Sequence, residues 1–317
     1  MHSSLLGSHH LVTKIREPEN LEQHSSTRNL WGDAWRRFCR DKMAVLGTLV
    51  LLFLVLSILI GPFLYTAPFN EIDFSRALIP PNRDYPLGTN DLGQDQLARL
   101  LIGGRITLTV GVAAMAVAIS LGTLIGAISG FYGGFIDTLL MRLTDLFLSL
   151  PQLPLLLLVV YLFRDALRAI AGPEFGIFIL IILVIGGLNW MSVARLVRAK
   201  FLQVKEMDFV LAARAVGARP RRLIWVHILP NVLSVMIVAA TLAVGTAIIT
   251  ESTLSFLGLG FPPDVPTWGQ MLFSAKDYIT QAPHMVLFPG LAIFLTVLSI
   301  NYIGDGLRDA LDPKTRR

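Results

Sequence analysis

The sequence predicts an all-α integral membrane protein with about six transmembrane helices, and three observations lead there. The 317 residues are 54% hydrophobic and only 15% charged, where soluble domains carry about 25% charged residues. The mean hydropathy is +0.63. The apolar residues also come in runs of about 20, the length a helix needs to cross a bilayer core.

Read between charged breaks and Pro/Gly clusters, these runs fall at 43–64, 106–129, 139–162, 175–195, 232–258 and 285–305. The first follows a long polar arm, so it reads as a retained span and not as a cleaved signal. The third carries the weakest pattern. Asp137, Arg142 and Asp145 crowd its start, while Pro151 and Pro154 interrupt it. Spanning helices tolerate such prolines where neighbours satisfy the freed backbone groups. With both termini cytoplasmic, the inner segments hold 20 Lys and Arg and the outer segments 7, the bias of the positive-inside rule. The net charge of +5 then reads as an orientation signal that meets anionic lipid. No basic cluster is interleaved with aromatics, so nothing points to nucleic acid.

In chain order, residues 1–42 read as a cytoplasmic arm. Its first 30 residues are polar and of mixed charge, a flexible composition. Residues 31–42 suit an interfacial amphipathic helix with Trp31, Trp35 and Phe38 on one side. Residues 43–105 hold the first span and an external excursion, 65–105, too long to be a simple linker. Residues 106–317 form the core, with a cytoplasmic loop over 206–231. Cys39 is the sole cysteine, which excludes an internal disulfide and reads as an inert thiol. Four of the six histidines, His2, His9, His10 and His24, lie in the arm. None of the six has metal-ligand spacing, so no metal is expected.

Gly122, Gly126 and Gly130 repeat at i, i+4, i+8 and lay bare backbone along one face of the second span. That face suits close packing on a helix of the same chain or of another subunit. Glu251 is the one carboxylate deep within a span, where exposure to lipid would cost on the order of 2.5–3.5 kcal/mol. It either faces a polar cavity or bonds to a neighbour such as Thr250, Ser252 or Thr253. Asn189 and Glu251 are the candidates for lining a solute pathway.

The loop from Asp208 to Asn231 is the most informative stretch. It has helical composition up to Gly217, which permits a sharp turn with positive φ. Pro220 suits the first turn of a second short helix, and Pro230 marks the start of the fifth span. Ala212 and Ala213 leave a slim surface, the shape of a knob that fits a groove on another protein.

This loop resembles the EAA loop of ABC-importer permeases: Glu-Ala-Ala, three residues, Gly, nine residues, Ile, one residue, Leu-Pro. Ala212, Ala213, Gly217, Leu229 and Pro230 fall in register. Leu211 stands where the pattern has Glu, and His227 where it has Ile. Four further segments resemble the C-type permease subunits of dipeptide/oligopeptide importers. They are Leu254–Pro263 with Pro266–Leu272, Pro289–Ile293, Asn301–Pro313, and Leu87–Gly93 with Arg99. Gln94 departs from the Arg often found beside the last of these.

The resemblance implies a type I ABC importer permease fold and one half of a solute pathway. Its implied partners are a homologous B-type permease, two cytoplasmic ATP-binding subunits and an extracytoplasmic solute-binding protein. Leu211, Ala212, Ala213, Arg214, Gly217 and Pro230 would then couple to the ATPase. The chain has no Gly-rich loop ending in Gly-Lys-Ser/Thr, the motif that cradles nucleotide phosphates. No cofactor is therefore expected in it; ATP and Mg would be bound by the partner ATPase subunits. A secondary transporter would show inverted repeats and several intramembrane charges. A membrane enzyme would need paired acid/base groups or a metal cluster within the spans. Neither pattern is found, so no catalytic residue is expected.

Overall fold

The computed structural model describes residues 30–311, which are helical apart from turns, the largely irregular segments 65–95 and 257–267, and one isolated bridge between Thr89 and Asp95. The arm expected over residues 1–30, its four histidines, the side chain of Trp31, and Asp312, Pro313 and the terminal basic residues fall outside the described residues.

Five helical stretches are long and apolar enough to cross a membrane singly. They are α2 (Lys42–Leu64), α3 (Gln96–Tyr132), α6 (Pro173–Lys205), the run Pro220–Phe256, and α11 (His284–Leu311). The crossing expected at 139–162 falls on a bent pair, which makes a sixth span if the pair is taken as one. Helix α4 (Gly134–Ser149) and α5 (Gln152–Ala171) meet at 89°. Pro151 sits at the break and pushes the preceding residue out of the helical region, so Leu150 is extended, with ψ 140°.

Three further boundaries differ from expectation. Helix α3 starts at Gln96, ten residues before 106, and its 37 residues reach about 55 Å, well past a bilayer core of about 30 Å. Counting Arg99 and Arg105 as loop charges hides this start, because both are satisfied by backbone within the bundle. Arg99 donates to Phe69 O at 3.2 Å and Pro263 O at 2.9 Å. Arg105 donates to Ile58 O at 3.0 Å and Leu59 O at 2.8 Å. The Ile58 carbonyl is the one that Pro62, lacking an N–H, leaves without its helical donor. Helix α6 likewise continues beyond 195 to Lys205. A short helix does begin at Pro220, as expected, but it is not separate from the fifth span. A short α8 (Pro220–Arg222) runs through a π-helical turn, Leu223–Ile228, into α9 (Leu229–Phe256), with Pro230 in that helix's first turn.

The bundle is centred on α3 and α6, which run parallel. A Cβ on Gly122 would meet Val193 and the Trp190 carbonyl. One on Gly126 would meet Ala194 O and Val197, and one on Gly130 would meet Phe201 and Arg198 O. Gly186 reciprocates from α6, against Ala114 and Val117. The two backbones thus approach where each lacks a side chain, as small-residue interfaces allow. Helix α9 crosses α3 antiparallel at Gly111, where Ile248 packs. Helix α11 pairs with α9 through Gly304 and Leu242, and with α2 through Gly47 and Ser299. The short α1 (Leu30–Phe38) docks at the same end as the finish of α11, with Phe38 packed on Ala44 and Ala310. Trp35 stacks on Phe38 with ring centroids 6.0 Å apart, so the two share a side of the helix as expected, Phe38 buried and Trp35 exposed.

At the opposite end the excursion folds onto the bundle. Tyr65 donates to Asp95 Oδ2 at 2.5 Å; burial, with that carboxylate beside it, pushes the phenol above its ordinary range. Gly93 has φ +74°, and a Cβ there would run into the Asp73 carbonyl. His284 Nε2 lies 3.0 Å from Thr89 O, and the Trp268 indole, at the start of α10 (Trp268–Ala275), donates to Leu100 O at 3.0 Å. Segments far apart in sequence, 87–99 and 254–284, therefore interlock at one end.

The α3–α6 seam yields a direct test. Gly126→Leu should lower the thermal midpoint of the detergent-solubilised protein, by the equivalent of about 1–3 kcal/mol of overpacking. Gly187→Ala, a position with open space around it, should leave the midpoint unchanged or slightly raised.

Candidate functional site

The segment between α6 and α9 forms an elbow at the end where α1 and the finish of α11 also lie. Helix α7 (Asp208–Ala215) is only eight residues long, too short to be stable alone. It is fixed by Val210, which is fully buried among Phe201, Val204, Leu223, Ile228 and Val232. Ala213 packs at the edge of the same cluster. The helix ends in a paired closure: Gly217 N–H donates to Arg214 O at 3.0 Å and Ala218 N–H to Ala213 O at 3.0 Å. This closure places its glycine in the left-handed region, and Gly217 has φ +82°.

The outer surface of the elbow mixes apolar residues with exposed Arg214, Arg219, Arg221 and Arg222. Val216 is 86% exposed, and Phe209 and Leu211 are also exposed. Ala212, Arg214, Gly217 and Pro230 share that exposure, while Ala213 is half-buried. Five of the six residues read from the motif thus lie within 211–217, on or beside the exposed surface, while Pro230 lies in the first turn of α9. Val210 and Val216 were not singled out in the sequence. The signal for both is an apolar residue at helical spacing inside an otherwise basic loop.

Ion pairs tie the base of the elbow to the rest. Arg198 on α6 binds Asp137 of α4 through Nε at 2.5 Å and Nη2 at 2.6 Å. Asp137 also accepts from Ser129 Oγ of α3. Arg195 pairs with Asp145. Lys205 Nζ donates to Phe131 O at 2.8 Å, which places a cation on the carbonyl end of α3 as the helix dipole favours. These bonds join α6 to α3 and α4 beneath the elbow, while α7 itself meets α6 and the start of the α9 run through Val210.

The pathway candidates separate. Asn189 lies beside the α4–α5 bend: its Oδ1 accepts from Gln152 Nε2 at 3.2 Å, and its Nδ2 donates to Ile185 O at 2.8 Å. Gln152 in turn lines a cleft of about 190 Å³ between α5 and α9, together with Leu156, Thr250 and Thr253. The two threonine hydroxyls donate to Thr246 O at 2.7 Å and Ile249 O at 2.8 Å, leaving oxygen lone pairs to accept. Thr250 and Thr253 are thus not the partners of Glu251. That carboxylate is 0% exposed and accepts from Ser255 Oγ at 2.8 Å, with Ser252 Oγ at 3.5 Å. Gly269 of α10 packs directly against Ser252 and Ser255, so this polar cluster lies in the α9–α10 seam.

Val210→Ala should loosen the elbow without unfolding the bundle. A cost on the order of 1 kcal/mol at a buried valine predicts several-fold faster amide exchange over residues 208–217. Exchange in α3 should be unchanged, as followed by mass spectrometry.

Comparison with known proteins places this architecture. Residues 122–317 match the binding-protein-dependent transport system inner membrane component family, and residues 29–81 match the N-terminal transmembrane domain of oligopeptide transport permease C. A dipeptide transport system permease protein of Alkalihalophilus pseudofirmus is 39% identical over 90% of both chains. An oligopeptide transport system permease protein of Bacillus subtilis is 37% identical over 91% of both. A glutathione transport system permease protein of Pectobacterium atrosepticum is 38% identical over 92% of this chain and 93% of its own. Among solved structures, an inward-facing MetNI methionine ABC transporter aligns with a TM-score of 0.52 at 20% identity, over 67% of this chain and 95% of that one, a likeness of fold. The chain belongs to the binding-protein-dependent transport system inner membrane components, as a multi-pass permease subunit of an ABC importer.

Proposed function

We propose that the chain imports short peptides, as half of a pathway shared with a B-type permease. Relatives named for dipeptides, oligopeptides and glutathione, itself a tripeptide, support that solute class. A solute-binding protein would deliver the peptide at the end built from residues 65–95 and 257–283. Two ATP-binding subunits would bind ATP and Mg at the other end, in the cytoplasm, where the excess of Lys and Arg orients the chain. The subunit itself hydrolyses no ATP.

The observation that carries the coupling role is the build of the elbow. A short helix presents exposed Val216, Phe209 and Leu211 outward while Val210 is sunk into the core of the bundle. Closure of the ATPase pair on ATP pushes this knob, and the buried anchor passes the displacement to α6 and α9. ATP favours one arrangement of the bundle only through contacts that differ between the two states. Leu211, Ala212, Ala213, Arg214, Gly217 and Pro230 form or border the contact surface. Leu211 replaces a carboxylate of the general pattern, so this contact is more apolar and less ionic. Along the pathway, Asn189, Gln152 and Thr250 offer both donors and acceptors to a peptide backbone. Glu251 instead bonds within α9, to Ser255 and Ser252, beside the seam with α10.

Gly217→Val forces a β-branched residue to φ +82°, at a strain of roughly 1–2 kcal/mol, and shifts the knob. Peptide uptake and solute-stimulated ATP hydrolysis by the assembled transporter should fall to background while the subunit inserts at normal levels. Normal uptake by this variant would remove the elbow from the mechanism.

A further inference from the structure

A groove of about 1230 Å³ opens on the side of the bundle, framed by α2, α3, α9 and α11. Its walls are apolar, Leu51, Val55, Val112, Ala113, Val244 and Ile300 among them. The two threonines that reach it, Thr109 and Thr241, donate to their own helix at Arg105 O (2.6 Å) and Ile237 O (3.0 Å). Helix α2 explains the gap. It is held near one end by Gly47 on α11 and near the other by Ile58 and Gly61 on α3. Between those points, Leu51 and Val55 face the groove.

One charge lines the groove, and it sits at the end nearest the 65–95 excursion. The Arg105 guanidinium is clamped by Nε and Nη2 on the Ile58 and Leu59 carbonyls, with its carbon 5.5 Å from the Phe63 ring centroid. Among the described residues no carboxylate pairs with it and no acceptor meets Nη1. From Arg105 to Ala116 the groove follows α3 for eleven residues, about 16 Å at the helical rise. Half of a hydrocarbon core of about 30 Å has the same depth. An apolar slot one leaflet deep, with a fixed guanidinium at the interface, matches an acyl chain that hangs below a phosphate.

We propose that this groove is a phospholipid site, in which Arg105 takes the headgroup phosphodiester and one acyl chain fills the space under α2. The occupant completes the packing that the α2 contacts leave open, independently of the solute carried.

The test uses the assembled transporter in vesicles of phosphatidylethanolamine and phosphatidylglycerol, with a trace of phosphatidylglycerol bearing a photoreactive diazirine on its acyl chain. Irradiation followed by peptide mapping should place adducts on Val55, Val112 and Ala113 in excess over the exposed face of α4. Ala113→Phe, which fills the groove without touching the cation, should abolish that excess. Arg105→Gln should weaken it about fivefold, the worth of one basic contact to an anionic headgroup. Labelling of the groove no stronger than that of α4 would overturn the proposal. So would cross-linking of Ala113→Cys, in a Cys39→Ser background, to a helix of the partner permease.

Discussion

The close approach of α3 and α6 is the constraint on which the other features depend. Three glycines on one helix and one on the other remove the side chains that would hold two backbones about 8–10 Å apart. In lipid the hydrophobic effect contributes little between helices, so contact of this quality does much of the holding. Because the two helices run parallel, their finishing ends emerge together. That places Phe131, Arg198, Phe201 and Lys205 in one patch, and α7 is built on that patch. Remove the seam, and the elbow loses its foundation.

Polar groups follow the same logic of closure inside the bundle. Arg105 caps a carbonyl that a proline frees, Arg99 gathers carbonyls from two loops, and Glu251 is enclosed by hydroxyls. Each would be expensive in lipid if left open. In each case the partner comes from a different part of the chain or from a neighbouring turn. Arg105, Arg99 and Glu251 are thus structural fasteners, while the uncharged Gln152 and Thr250 border an open cleft, with Asn189 bonded to Gln152.

Much of this was legible in the sequence. Apolar length located five crossings, and the glycine repeat marked the face that packs. The Ala-Ala, Gly, Leu-Pro spacing marked the elbow and its positive-φ turn. What stayed hidden depends on partners distant along the chain. The start of α3 at Gln96 requires knowing that Phe69 and Pro263 would accept from Arg99. The break at Pro151 is a local signal, but its 89° angle is not written in the local sequence; beside it Gln152 bonds to Asn189 of α6. The neighbours of Glu251 were anticipated in part, since Ser252 is one of them, and the rest were missed for a local reason. Threonines at helical positions bond back to their own i−4 carbonyls, which removes Thr250 and Thr253 and leaves the serines. The groove beside α2 has no signature in one dimension, since it is defined by the spacing between four helices.

The central claim is that the elbow touches the nucleotide-consuming partner and moves with it. The direct measurement is disulfide or short-linker cross-linking from Val216→Cys, in a Cys39→Ser background, to single cysteines along the ATP-binding subunit of the purified complex. Cross-linking to that subunit, with a yield or partner site that changes on adding ATP, is the expected result. A complex that retains its ATP-binding subunits yet gives no such cross-link from Val216, with or without ATP, would contradict the account.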